Sequence, residues 1–311
     1  MRQSLTVFVI SFFFLVAGLL FAASPFSYAK PSPAERDSLN FEQEINSYIL
    51  KDMSASKVLM SKNSKKRIQP ASLTKILTAI IAIESGKLGN VVTIPEEATN
   101  VEPTKAGFDP GEKIRLVDLV KASMVRSSND AAFAIAYYLG GSVKGFAGIM
   151  NRKAKEIGMK HSHFTNPAGY DRDVYAGHYS TADDLLLLTE YAIGNEIFNR
   201  VVALDSVSFY EQETKKKYFL KSSNKLLENY PYAVGIKTGY TLRAGRCLIA
   251  RAKRDKKDMV LVMLKAGKKR WELAERMFEQ AFAESQKKKV SYRQDGSEDV
   301  RPLILKGGAL Q

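Results

Sequence analysis

Three short stretches of the chain carry side chains able to do chemistry. Ser72-Leu73-Thr74-Lys75 sets a hydroxyl and an amine three residues apart at the start of an apolar run, which places both on one face of a helix. The hydroxyl there feels the positive end of the helix dipole. Apolar surroundings disfavour an ammonium, so Lys75 can lose its proton and act as a base toward Ser72. The tetrapeptide alone is weak, because Ser-x-x-Lys also occurs at Ser27, Ser54, Ser222 and Ser285. Only Ser72 heads an apolar helix, where an unpaired lysine at the fourth position is costly and needs a reason. Ser127-Ser128-Asn129 supplies a second hydroxyl and an amide able to bond a peptide backbone. Ser-x-Asn recurs at Ser38, Ser61 and Ser222, and its ordinary use would be a helix N-cap before Asp130. Lys237-Thr238-Gly239 occurs once and offers a cation and a hydroxyl beside a glycine that admits a ligand close to the backbone. An ordinary strand end with a tight turn would use the same residues.

The elements that must position these groups are readable from periodicity. Ile45 to Lys51 and Lys57 to Lys62 read as a hairpin around Asp52-Met53-Ser54-Ala55. Ala71 to Glu84 is apolar nearly all round and stops at Ser85-Gly86, which predicts a helix buried on every side. Leu116 to Val125, Asp130 to Leu139, Val143 to Ile157 and Thr181 to Ile193 follow as helices, the last capped by Ser180 or Thr181. Ala233 to Lys237, Arg246 to Lys253 and Met259 to Lys265 read as strands, the first ending at the Lys-Thr-Gly stretch, and Trp271 to Phe282 as an amphipathic helix. Strands at both ends flank helices in the middle, so the sheet must be assembled from the two termini. That predicts an α+β architecture with a largely antiparallel sheet.

Composition bounds the partners. The 311 residues, 45% of them hydrophobic, can fill the core of one large domain or two ordinary ones. Lys and Arg number 47 against 33 acids, and the net +14 favours anionic surroundings such as lipid headgroups, wall polymers or nucleic acid. Cys247 is the single cysteine, which excludes an internal disulfide and a Cys-rich zinc site and leaves a small buried hydrophobe. Arg2 precedes an apolar run from Leu5 to Ala23, and Ser27-Tyr28-Ala29 presents small residues to a signal peptidase. Residues 1–29 therefore read as an export signal, with an uncleaved membrane anchor as the alternative. Either way the rest is expected outside the cytoplasm, periplasmic or at the outer face of the cell membrane. That removes nucleic acid, ATP and nicotinamide cofactors, and no glycine-rich nucleotide motif occurs. His161, His163 and His178 show no zinc spacing and read as loop or capping residues, so no metal is expected. Lys268-Lys269-Arg270 and Lys287-Lys288-Lys289 read as solvated charge runs.

Taken together the three stretches are specific. Their order, with Ser127 55 positions after Ser72 and Lys237 a further 110 on, resembles the triad of penicillin-binding proteins and class A β-lactamases. Pro70-Ala71-Ser72-Leu73-Thr74-Lys75, Asn166-Pro167-Ala168-Gly169, His178-Tyr179-Ser180-Thr181-Ala182 and Gly235-Ile236-Lys237-Thr238-Gly239-Tyr240-Thr241 are similar to the low-molecular-mass serine D-alanyl-D-alanine carboxypeptidases, peptidase family S11. The resemblance runs from about Tyr48 to Phe282. It implies the penicillin-binding, transpeptidase-like fold, an antiparallel sheet flanked by helices with an inserted helical subdomain. The catalytic domain would span residues 30–285, leaving 286–311 as a polar tail.

The resemblance also implies roles: Ser72 as nucleophile, Lys75 as base and Ser127 as proton relay to the leaving amine. Asn129 would hold the substrate amide, Lys237 and Thr238 the terminal carboxylate, and the Ser72 and Tyr240 backbone N–H groups the oxyanion, with Gly239 beside them. The implied substrates are peptidoglycan stem peptides, the covalent inhibitors β-lactams, and no cofactor is implied. The family usually has His where Ala168 stands and Asp where Val234 stands, so contacts near these positions are expected to differ. Only residues 286–311 follow the catalytic domain, too few for the β domain and amphipathic helix that relatives often carry, so membrane association would use the N-terminal segment. A D-alanyl-D-alanine endopeptidase would use the same residues. A β-lactamase would write Ser-Asp-Asn where Ser127-Ser128-Asn129 stands, and a sensing or peptidoglycan-binding module would not need the complete triad.

Overall fold

The computed structural model describes residues 40–294, so the export segment read over 1–29 and the chain after Gln294 lie outside the described residues. A one-turn helix, α1 (Phe41–Glu44), leads into β1 (Ile45–Asp52), and a turn returns the chain as β2 (Lys57–Lys62), the expected hairpin. A 3-10 turn (Ala71–Thr74) opens α2 (Lys75–Glu84). The reading of one continuous helix from Ala71 is corrected here, because Ala71 takes a left-handed φ of 51° that a helix cannot contain. β3 (Val91–Thr93) and β4 (Lys113–Arg115) pair around α3 (Glu96–Thr99). Next come α4 (Leu116–Val125), α5 (Asn129–Gly140), α6 (Val143–Ile157), α7 (Ala182–Ile193) and α8 (Glu196–Val202). Thr181 caps α7, its hydroxyl accepting from Asp184 N at 3.0 Å. The hairpin β5 (Ser206–Tyr210) and β6 (Lys217–Lys221) and the short α9 (Leu226–Asn229) precede β7 (Ala233–Thr241), β8 (Gly245–Arg254), β9 (Lys257–Ala266) and α10 (Arg270–Gln294). β3 to β6 and α8 are not anticipated from the sequence. Each is only three to seven residues long, too short for a hydrophobic period to register.

The five-stranded sheet has the order β2-β1-β9-β8-β7, so the first strands of the chain pair with the last, as expected. All its pairings are antiparallel. Period-2 alternation gives each strand two faces, and in β1, β8 and β9 both are largely buried, whereas edge strand β2 is exposed or half-buried. In β9, Val260, Val262 and Leu264 join the helical core, while Met259, Leu261 and Met263 face α10. From α10 the stripe Leu273, Ala274, Met277, Phe278, Ala281, Phe282 answers them at helical spacing. The helix continues to Gln294, past the point where the sequence reading starts the polar tail. Cys247 is a fully buried small side chain in β8.

The helical core is centred on α2. Every residue from Lys75 to Ile83 is buried, and the helix is packed by α4, α5, α6, α7 and α8. That surround fixes its N-terminal turn in space. β7 lies at the edge of the sheet beside the same turn, so its outer backbone is free to meet a ligand. The sequence reading ends this strand at the Lys-Thr-Gly stretch; β7 instead continues through Tyr240 and Thr241, which pair with Arg246 and Gly245. Among the described residues no helix is long and apolar enough to cross a membrane.

Ile80 is completely buried at the middle of α2. Ile80→Ala is expected to lower stability by about 2–5 kcal/mol, the cost of lost burial plus a cavity, read from urea denaturation midpoints at unchanged slope.

Candidate active site

Lys75 is the first residue of α2 and is wholly buried. Its Nζ lies 2.8 Å from Ser72 Oγ, 2.8 Å from Asn129 Oδ1 and 3.0 Å from the Ala168 carbonyl oxygen. The amide and the carbonyl can only accept. A neutral amine satisfies both by donating, and its lone pair then faces the Ser72 hydroxyl, which is the arrangement of a general base. Burial drives the Lys75 pKa well below the ordinary lysine value, the positive Lys237 lowers it further, and Asp130 opposes them.

Each acceptor comes from a different element. Asn129 opens α5, where Ser128 occupies the N-cap position without a side-chain capping bond, so neither Ser127 nor Asn129 is spent on capping. Asn129 Nδ2 donates to the Glu102 carbonyl at 2.9 Å and its backbone N to Thr104 O at 2.7 Å, which fixes the amide. Buried Asp130 holds the same loop by accepting from the backbone N–H groups of Ala106 at 3.0 Å and Gly107 at 2.9 Å. Ser127, half-buried in the turn before α5, adopts a left-handed φ of 68°, a strained geometry of the kind that gathers at functional sites. Ala168 belongs to a loop organised by Asn166, whose Oδ1 accepts from the N–H groups of Ala168, Gly169 and Tyr170 at 3.1, 2.8 and 3.0 Å. The residue that replaces the family's usual His thus reaches the site through its backbone carbonyl.

Lys237 and Thr238 are also buried, on the edge strand β7. Lys237 Nζ donates to Thr238 O at 3.0 Å, and Thr238 Oγ1 lies 2.9 Å from Ser223 Oγ. Burial, reinforced by the Arg270 guanidinium, pushes the Lys237 pKa down to about 7. Among the described residues neither Lys75 nor Lys237 forms an ion pair, so the charge that Lys237 can carry is buried without a paired carboxylate. Gly239 is required by close approach: a Cβ there would lie 3.1 Å from Ser72 N and from Pro70 O. Tyr240, 57% exposed, stands at the rim with the Arg246 guanidinium 5.6 Å from its ring. Val234 is half-buried beside the irregularity near the start of β7. All eight residues singled out from the sequence therefore lie on the 3-10 turn and α2, on the turn before α5 and its first residue, and on β7.

Four contributors were missed. Arg270, assigned to a solvated charge run, is partly buried behind β7; it donates to Gly239 O at 3.4 Å and stacks 4.3 Å from the Trp271 ring. His178 is buried rather than a plain loop residue. Its Nδ1 accepts from Thr165 N at 3.1 Å, so Nε2 carries the proton and donates to Thr74 Oγ1 at 2.8 Å, bracing the turn that carries Ser72. Burial holds this ring neutral, with a pKa lowered to about 3. Asp130 and Ser223 complete the set. For His178 the His-x-Ser-Thr-Ala stretch was a usable signal; for Arg270, Asp130 and Ser223 the sequence held none beyond residue type.

Gly169 has a left-handed φ of 94°, and a Cβ there would lie 1.8 Å from the Ala71 carbonyl oxygen. Gly169→Ala is expected to destabilise the fold by more than about 1 kcal/mol and to displace the Ser72 turn. Acylation of Ser72 by a fluorescent penicillin should slow at least about tenfold, a loss of roughly 1.4 kcal/mol in transition-state stabilisation.

The family model Peptidase S11, D-alanyl-D-alanine carboxypeptidase, matches residues 33–268. D-alanyl-D-alanine carboxypeptidase DacF of Bacillus subtilis is 32% identical over 277 residues, which cover 87% of this chain and 70% of that protein. DacB2 of Mycobacterium tuberculosis is 30% identical over 241 residues, covering 76% and 81%. Among solved structures, the D-alanyl-D-alanine carboxypeptidase of Mycobacterium tuberculosis H37Rv matches with a TM-score of 0.72 at 28% identity, over 77% of this chain and 91% of that one. The Streptomyces K15 DD-transpeptidase matches with a TM-score of 0.73 at 26% identity, over 77% and 97%. The transpeptidase-like α+β fold expected from the motifs is the fold found. With that match across most of the chain and this fold, the chain belongs to peptidase family S11, the serine-type D-alanyl-D-alanine carboxypeptidases that bind penicillin and act on peptidoglycan.

Proposed function

We propose that the chain is exported and removes the terminal D-alanine from peptidoglycan pentapeptides through an acyl-enzyme on Ser72. The observation that carries the reading is the wholly buried Lys75 Nζ, 2.8 Å from Ser72 Oγ and without an ionic partner among the described residues. Lys75 takes the Ser72 proton as Oγ bonds to the carbonyl carbon between the two D-alanines. The oxyanion that forms is met by the backbone N–H groups of Ser72 and Tyr240, donors whose individual loss costs about 3–4 kcal/mol in comparable sites. Ser127 passes a proton to the departing amine, the C–N bond breaks, and D-alanine leaves. Water then cleaves the ester and returns the Ser72 proton.

Substrate placement follows from the charges. The terminal carboxylate supplies the counter-ion that Lys237 lacks, with the Thr238 hydroxyl as a second donor. The peptide lies along the free edge of β7 and pairs with it as an added strand, its amide held by Asn129. Export rests on residues 1–29, and β-lactams fit the reading because they present a carboxylate beside a strained acyl group.

Ser72→Ala should abolish both release of D-alanine from a pentapeptide ending in D-Ala-D-Ala and labelling by fluorescent penicillin. Labelling without release by the unaltered chain would move the assignment to cross-link cleavage or sensing. The pH profile has a worked sign. The free enzyme needs Lys75 neutral and Lys237 charged, so kcat/KM falls on the acid side as Lys75 gains a proton. It also falls above about pH 7 as Lys237 loses its own. Lys237→Arg keeps the charge and should move the alkaline limb upward; an unmoved limb would remove Lys237 from carboxylate binding.

A further inference from the structure

The β5–β6 hairpin has two chemically distinct faces. Val207, Phe209, Tyr218 and Leu220 point into the helical core, Phe209 stacked on Tyr218 at 5.3 Å. The opposite face is open. The register sets Tyr210 opposite Lys217, Ser208 opposite Phe219, and Ser206 opposite Lys221. Phe219 is 57% exposed and Tyr210 50%, diagonal neighbours on one face, with exposed lysines on either side of Phe219 along β6.

The surrounding acids are already engaged. Glu211 is buried and accepts from the turn it closes, Glu213 pairs with Lys113, and Lys216 joins Asp109 at 2.6 Å and Glu112 at 2.9 Å. Asp205, at the base, accepts from Ser206 Oγ at 2.9 Å. Among the described residues Lys217 and Lys221 pair with no carboxylate, and Lys215 is exposed at the turn.

We propose that this outer face docks on an anionic lipid bilayer. Lysines alone would suit any polyanion. An exposed phenylalanine flanked by unpaired lysines, with a tyrosine diagonal to it, matches an interface with an apolar phase just below a layer of phosphates. A wall polymer offers the charge without that phase. The position has a consequence for the active site. Ser223, which contacts Thr238, follows Lys221 by two residues, about 7 Å of chain at about 3.3 Å per residue, so this face adjoins the carboxylate-binding strand.

The test places a reporter on the hairpin itself. Cys247 is buried, so the full-length Ser208→Cys chain takes a polarity-sensitive label at position 208. The labelled chain is reconstituted in vesicles of phosphatidylcholine alone or mixed with phosphatidylglycerol. The expected result is a blue shift and quenching by brominated acyl chains only in the mixed vesicles, lost in high salt. Lys217→Glu with Lys221→Glu should abolish the shift, and Phe219→Ser should reduce the quenching at least about twofold, with penicillin labelling of both variants reporting an intact fold. A label that stays water-like on mixed vesicles overturns the proposal, and so does a shift indifferent to both variants. An equal shift with soluble poly(glycerol phosphate) also overturns it and assigns the face to wall polymer instead.

Discussion

Everything at this site depends on keeping one lysine amine out of water. Lys75 has no exposed surface, and its Nζ is held by a hydroxyl from the 3-10 turn before its helix, an amide from α5 and a backbone carbonyl from the 166–171 loop. A charged ammonium would be stabilised by solvent or by a nearby acid; burial removes the first, and Asp130 favours the charged form less than burial disfavours it. Desolvation therefore sets the protonation state. The packing of α2 by five other helices is the means: an all-round apolar helix is the element that can carry a lysine to the centre of a domain.

The same requirement explains features that look incidental in isolation. Gly169 and Gly239 press on the 3-10 turn from two sides, and neither position leaves room for a side chain. His178, neutral and buried, ties Thr74 of that turn to Thr165. Asp130 holds the loop whose Glu102 carbonyl orients Asn129. Each of these groups fixes the turn, the amide or the carbonyl around Lys75.

Charge completes the arrangement. Arg270 lowers the Lys237 pKa, and Lys237 in turn lowers that of Lys75. A buried Lys237 without a paired carboxylate is complementary to a ligand that brings one. β7, buried on its inner edge by β8 and free on its outer edge, gives that ligand a backbone to pair with. The sheet thus acts as a rigid wall between α10 and the helical core, with its reactive face at one side.

Local pattern in the chain was sufficient for the three reactive stretches, the long helices, the antiparallel sheet drawn from both termini and the family resemblance. These rest on residue type, hydrophobic period and motif order, which are properties of neighbours along the chain. The folded structure alone decided which groups join Lys75 and Lys237 at the site. The Ala168 carbonyl, Asp130, Ser223 and Arg270 are 93, 55, 148 and 195 positions from Lys75, and backbone carbonyls and ordinary charged residues carry no mark of the site they will join. The extension of β7 through the Lys-Thr-Gly stretch and the pairing of β5 with β6 were likewise settled by partners distant in sequence. A strand's end is set where its neighbour's ladder stops, and a lysine's protonation by what has been packed between it and water.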